Sequence, residues 1–126
     1  MQTKEQKRSA FALEQIEKVF RLPVDKETAN FVVGVPTMVL ANGLGQTMAF
    51  LLSKQKDQHT KTFRVIRQWL EQEVPSLKTV SDLDFLKSFS GLDQNKYLLA
   101  QQEALALLQW LKRYVRAFEK EEGGQK

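Results

Sequence analysis

Apolar residues recur at spacings of three and four along most of the chain and nowhere alternate over the length of a strand. The pattern therefore predicts helices and no sheet. A first helix runs from about Lys4 to Arg21, with Phe11 or Ala12, Ile16, Val19 and Phe20 on one face and Pro23 soon after its end. Its first turn is polar, and residues 1–5 are expected to fray. A second helix opens near Asp25, a capping residue, and continues through Phe31, Val32 and Val35 to Leu40. Pro36 lies inside that pattern, where it removes an amide donor and crowds the preceding turn, so a kink or break is expected near Gly34. Asn42-Gly43 ends this helix. Leu44, Met48, Leu51 and Leu52 build a third, to about Lys54. The fourth, from about Asp57 or Thr60 to Glu73, carries Phe63, Ile66 and Leu70 on one stripe and Lys61, Arg64, Arg67 and Gln68 on another, and Pro75 stops it. Ser81 and Asp84 approximate a capping box for a short helix from Asp82 to Phe89, closed by Gly91.

The last helix, from about Asp93 to Glu121, is the longest. Tyr97, Ala104, Leu111 and Phe118 are seven apart, and Ala100, Leu107 and Tyr114 interleave with them in a seam close to a 3.5-residue period. Leu98, Leu99, Leu105, Leu108 and Trp110 widen the apolar surface of its first half, which predicts a strut surrounded by the other helices. The expected fold is all-α: one compact bundle of five or six helices around a long C-terminal helix, spanning residues 1–126 as a single domain with a frayed end at 121–126.

Composition narrows the chemistry. The 126 residues hold no Cys and one His, His59, so thiolate metal sites, cysteine nucleophiles and two-histidine metal sites are excluded within one chain. No cofactor is expected. A triad of Ser53, Asp57 and His59 would lie in a hydrophilic helix junction, where such residues face water, and His59 reads as a solvated loop residue or a phosphate contact. Gly43-Leu44-Gly45 follows a helix and lacks a Gly-Lys-Ser/Thr ending, so it reads as a helix stop and restart and not as a phosphate loop. Asp82, Asp84 and Asp93 fall where helix dipoles favour acids, which explains them better than Mg²⁺ ligation does. No segment approaches the ~18 apolar residues needed to span a bilayer, and the N-terminus has no apolar signal-like region. The expectation is a cytoplasmic protein with no membrane contact, no small-molecule substrate and no enzymatic activity.

Charge changes the picture more. The net charge is +4. Lys54, Lys56, Lys61, Arg64 and Arg67 with Asp57 account for all of that excess in fourteen residues. Concentrated positive charge favours polyanions, and these five are the preferred candidates for nucleic-acid contact. Lys112, Arg113 and Arg116 form a second cluster, for which the helix dipole offers a competing reason. Trp69 and Phe63 have helical spacing and read as packing residues before base-stacking ones. Helix-turn-helix recognition fits poorly, because Lys54 to His59 make a long charged connection without glycine.

Three pieces in order carry a family resemblance: Val35-Pro36-Thr37-Met38 leading to Asn42-Gly43-Leu44-Gly45-Gln46-Thr47-Met48-Ala49-Phe50-Leu51, then Lys54, then Glu103-Ala104-Leu105-Ala106-Leu107-Leu108-Gln109-Trp110-Leu111-Lys112-Arg113. The chain resembles the small α-helical subunit of the Cmr (type III-B) CRISPR RNA-silencing complex. The N-terminal thirty residues and the stretch from Glu73 to Gly91 contribute little to the likeness. The resemblance implies a non-enzymatic subunit of a guide-RNA effector in antiviral defence, with nuclease activities on other subunits. It also implies partners: the larger Cmr backbone subunits, further copies of this chain stacked in a filament, and the guide and target RNA. Base pairing would read sequence while this chain supplies shape and phosphate neutralisation. A stand-alone helical nucleic-acid-binding regulator, or a helical adaptor without a nucleic-acid role, are the alternatives. On the main reading, reversing the charges of Lys61, Arg64 and Arg67 weakens retention of target RNA and leaves thermal stability almost unmoved.

Overall fold

A computed structural model describes residues 1–121. Six α-helices and no strand occur among them: α1 (Lys4–Gln15), α2 (Lys26–Asn42), α3 (Leu44–Lys54), α4 (Asp57–Glu73), α5 (Asp82–Ser90) and α6 (Gln94–Ala117). The all-α expectation holds, with α6 the longest element. It packs against α1, α2 and α4 and buries Ala100, Ala104, Leu107, Leu108, Leu111 and Val115 among them. Buried apolar residues from all six helices join one cluster. None of these helices is long and apolar enough to cross a membrane.

The N-terminal helix departs from the simple pattern at both ends. Thr3 and Gln6 form a reciprocal capping box, each side chain accepting from the other's backbone amide at 3.0 and 2.8 Å, so α1 begins at Lys4. After Gln15 the chain widens into a π-helical turn, Ile16–Phe20, which buries Ile16 and Phe20. Apolar spacing carries no signal for this widening. Arg21, at φ 70°, ends it.

Asp25 caps α2 as expected, accepting from the amide of Thr28 at 2.7 Å and from its hydroxyl at 3.0 Å. The expected break near Gly34 does not occur, for α2 runs unbroken across Pro36 to Asn42. Pro36 is itself buried beside Val32, Val35 and Val39, and that burial offsets one missing amide bond. Gly43 then reverses the chain at φ 85° and ψ 159°, a region essentially restricted to glycine, where a Cβ would stand 3.3 Å from the Tyr97 hydroxyl. The first amide of α3, on Leu44, donates to Gln101 Oε1 of α6 at 2.9 Å. This bond ties the helix restart to the central strut.

Two expectations about α6 need correction. Leu98 and Leu99 are 48% and 42% exposed, so its first half keeps one apolar side open and is not enclosed all round. The helix also stops at Ala117, short of Glu121, because the chain leaves it to pair with Val24: Phe118 O accepts from Val24 N at 2.9 Å and Lys120 N donates to Val24 O at 2.6 Å. Of the tail read as frayed, residues 122–126 lie outside the described residues.

Candidate nucleic-acid interface

The basic segment folds as the turn between α3 and α4 followed by the outer side of α4. Gln55, in the left-handed region at φ 57°, closes α3 and turns the chain so that Lys54 and Lys56 both stand exposed. Lys56 is the N-cap of α4 and has no acceptor to offer, so the first amides of that helix receive no side-chain cap. Lys54 Nζ lies 5.7 Å from the centroid of the Phe50 ring. One turn along, Lys61 pairs with Asp57 at 2.9 Å, a bond to a largely exposed carboxylate that a phosphate can displace at small cost. Arg64 is exposed and has no ion-pair partner among the described residues.

Arg67 does something else. Its Nε donates to Glu71 Oε2 at 2.6 Å, and its two terminal nitrogens donate to Asp82 Oδ1 at 2.7 Å and to the Thr79 carbonyl at 2.9 Å. The guanidinium carbon sits 5.4 Å from the centroid of the Phe85 ring. Burial alone would lower its pKa, but the Glu71 and Asp82 carboxylates hold it above its ordinary value. Arg67 is thus a fastener between α4 and the segment entering α5. Glu71 is its i,i+4 neighbour on α4, whereas Thr79 and Asp82 reach it from beyond the end of that helix.

Between α4 and the start of α5 lies a cleft of about 430 Å³. Thr60, Phe63, Arg64, Arg67, Gln68 and Glu71 of α4 line it, with Leu52 of α3 and Asp82 of α5. The second cationic cluster lies elsewhere. Lys112, Arg113 and Arg116 border a shallow concavity of about 330 Å³ with Val33 of α2, and it shares no lining residue with the cleft. Arg116 is paired with Glu119 at 2.9 Å, while Arg113 is exposed and Lys112 half-buried.

His59 is not the solvated residue that its hydrophilic neighbours imply. It is 6% exposed, its ring centroid 4.0 Å from that of Phe31 and 5.5 Å from that of Phe50, and its Nδ1 has no hydrogen-bond partner. Burial first, then the charges of Lys56 and Lys54, push its pKa below the usual imidazole value. Its sequence neighbours are engaged separately: Ser53 Oγ donates to the Phe50 carbonyl at 2.8 Å and Asp57 holds Lys61. Asp82 is held by Arg67, Asp93 caps α6, and no group of three or more potential metal-ligating residues occurs among the described residues. Phe63 and Trp69 are buried packing residues.

The polar centre missed in the sequence is Glu103, 5% exposed on α6. It accepts from Trp69 Nε1 at 3.0 Å and from Arg8 at 3.1 and 2.7 Å, joining α1, α4 and α6. One signal was available: Glu103 falls on the stripe of Ala100, Ala104 and Leu107, where an unpaired charge cannot be buried. All eight candidate cations lie within the span of one comparison. A family model described as CRISPR-associated protein (Cas_Cmr5) matches residues 4–118.

Proposed function

The chain belongs to the CRISPR-associated Cas_Cmr5 family, the small subunit of the type III-B (Cmr) complex, and from that premise we propose that it is a non-catalytic building block that helps hold the guide–target RNA. Base pairing reads the sequence, and this subunit neutralises phosphates without regard to the bases. It acts in the cytoplasm as one folded unit, stacked on further copies of itself beside the larger backbone subunits. The observation that carries the RNA role is the open state of Lys54, Lys56 and Arg64 around a helix N-terminus without a side-chain cap. Lys61 contributes a smaller share, because a phosphate must first displace Asp57 from it. Lys112, Arg113 and Arg116 form a second contact, with Arg116 shared with Glu119. Arg67 drops out of the phosphate-binding set, because three protein acceptors, two of them carboxylates, hold its guanidinium in place.

The test changes accordingly. Charge reversal that includes Arg67 would break a fastener and lower stability, so the informative variant is Lys54→Glu, Lys56→Glu and Arg64→Glu together. In the reconstituted complex this variant loses target-RNA retention steeply as salt rises, while the isolated subunit melts within a few degrees of wild type. Unchanged retention at both low and moderate salt would remove the RNA role from this side of the molecule.

A further inference from the structure

We propose that Phe50 is a stacking platform for one unpaired base of the RNA, whichever base it is, set beside the cations Lys54 and Lys56; this rests on the RNA reading above. Among the described residues, Phe50 and Phe118 are the aromatics that stand out as exposed, at 37% and 42%. Of the two, Phe50 alone has a candidate cation at its ring, Lys54 Nζ at 5.7 Å from the centroid.

The local fold explains the placement. α3 turns Leu44, Thr47, Met48 and Leu51 into the core. Phe50 falls outside that stripe, and Lys54, one turn later, leaves the helix on the same side. From α4, His59 packs on the Phe50 ring with centroids 5.5 Å apart and planes at 61°, and Phe31 of α2 packs on His59 in turn at 4.0 Å. His59 is 6% exposed and its Nδ1 has no partner, so the imidazole serves here as one apolar ring among three. This buttress holds the Phe50 ring in position while part of it stays in water. A surface ordered beforehand gives up little freedom when a ligand lands on it. Lys54 does not close the ring off: 5.7 Å is near the outer limit, about 6 Å, of cation–π attraction, and an exposed ammonium so held is free to turn to a phosphate.

Stacking on an aromatic side chain tolerates every base, because every base has a π-face, so it adds affinity without reading sequence. Bases inside a duplex are already stacked on both faces and meet the cations alone. The platform therefore favours single-stranded over fully paired RNA. An apolar side chain of a protein neighbour would also cover Phe50, but it brings no charge for the exposed Lys54 and Lys56, whereas a strand brings a phosphate with each base.

The test is titration of the full-length chain, isotopically labelled at its phenylalanine rings, with short single strands of adenylate and of uridylate and with an abasic ribose-phosphate strand of equal length, at low salt. NMR reads the rings and fluorescence anisotropy the affinities, the latter also for a long RNA duplex. Both base-bearing strands are expected to shift the Phe50 ring signals, and the abasic strand is expected to bind without doing so. Phe50→Leu, which keeps apolar bulk, weakens the base-bearing strands about fivefold, the low end for one stacked base because the ring is only partly open. It leaves the abasic strand and the duplex as they were, and Phe50→Tyr restores the affinity. An equal loss for abasic and base-bearing strands would make Phe50 a support for the cationic turn and overturn the proposal. So would Phe50 signals that no base moves; if the Lys54, Lys56 and Arg64 variant still lost RNA, the phosphate track would stand without the platform. Base-dependent shifts beside full RNA retention by that variant would instead keep the platform and remove the track.

Discussion

Glu103→Gln measures how much of the bundle depends on one buried charge. The carboxylate ties three helices, and the substitution keeps its shape and one acceptor. It also sets an amide NH₂ against the Arg8 guanidinium and strips Arg8 of its buried counter-charge. Removing one member of a buried ion pair costs about 3–5 kcal/mol. Arg8 keeps Glu5 at 2.5 Å and its side chain is 16% exposed, so Glu5 and water recover part of that cost, and the lower end, about 3 kcal/mol, is expected. With the unfolding entropy typical of globular proteins, this chain then melts about 11 °C lower. Burial pushes the Glu103 pKa up, but hydrogen bonds from Arg8 and Trp69 outweigh it, and the net shift is downward. Its contribution is therefore complete above the ordinary carboxylate pKa and is lost as pH falls through the depressed folded value, so the deficit of the Gln variant shrinks in acid. Arg8→Met added to Glu103→Gln removes both charges and restores more than half of the loss. Urea unfolding followed by far-UV circular dichroism reads all of these. A loss below about 1 kcal/mol at neutral pH, no more than one ordinary neutral hydrogen bond, would refute the reasoning, as would a deficit that acid leaves intact.

His59, neutral in the fold and lowered in pKa by burial and then by Lys56 and Lys54, makes the unfolded chain the better proton binder. Stability should decline as pH drops from about 6.5 toward the depressed folded value. His59→Phe should flatten that limb of the profile, and an equally steep decline in the variant would assign it to another group. Arg67→Lys keeps the charge but cannot serve Glu71, Asp82 and Thr79 together. Amide exchange over residues 78–82 should quicken and Tm fall by a few degrees, whereas unaltered exchange would mean that the fastener carries no load.

Much of the architecture was legible because it depends on local chemistry. Asp25, Ser81 and Asp93 each cap the helix that follows, through bonds three residues long, and Gly43 and Pro75 punctuate the chain by their own backbone limits. What was not legible depends on partners far along the chain. Leaving α6 at Ala117 needs Val24 as a pairing partner, and crossing Pro36 without a break needs a core to bury it. His59 looked solvated because Lys54, Lys56 and Asp57 surround it in sequence; the rings that cover it come from α2 and α3. The candidate interface was half legible for the same reason. Sequence located the cationic stretch, but the use of Arg67 was set by Thr79 and Asp82, which reach it from beyond the end of α4.

That division has a measurable consequence for how the RNA is held. Five cations crowd the stretch from Lys54 to Arg67, and if all five met phosphates, each copy would add about 4.5 to the slope of log affinity against log salt on a duplex. Arg67 is spent on Glu71, Asp82 and Thr79, and Lys61 must first give up Asp57. Three open cations, Lys54, Lys56 and Arg64, leave a slope of about 2.7 per copy. Neutralising those three with alanine should accordingly remove most of the salt dependence that this side supplies, and adding Lys61→Ala should change it little further. Arg67→Ala alone should lower Tm and leave the slope where it was. A slope that falls by a full further contact on losing Arg67 would mean that RNA draws its guanidinium away from three protein acceptors. In that event the bound and free forms of the loop entering α5 would differ, and the cleft beside it would open when RNA binds.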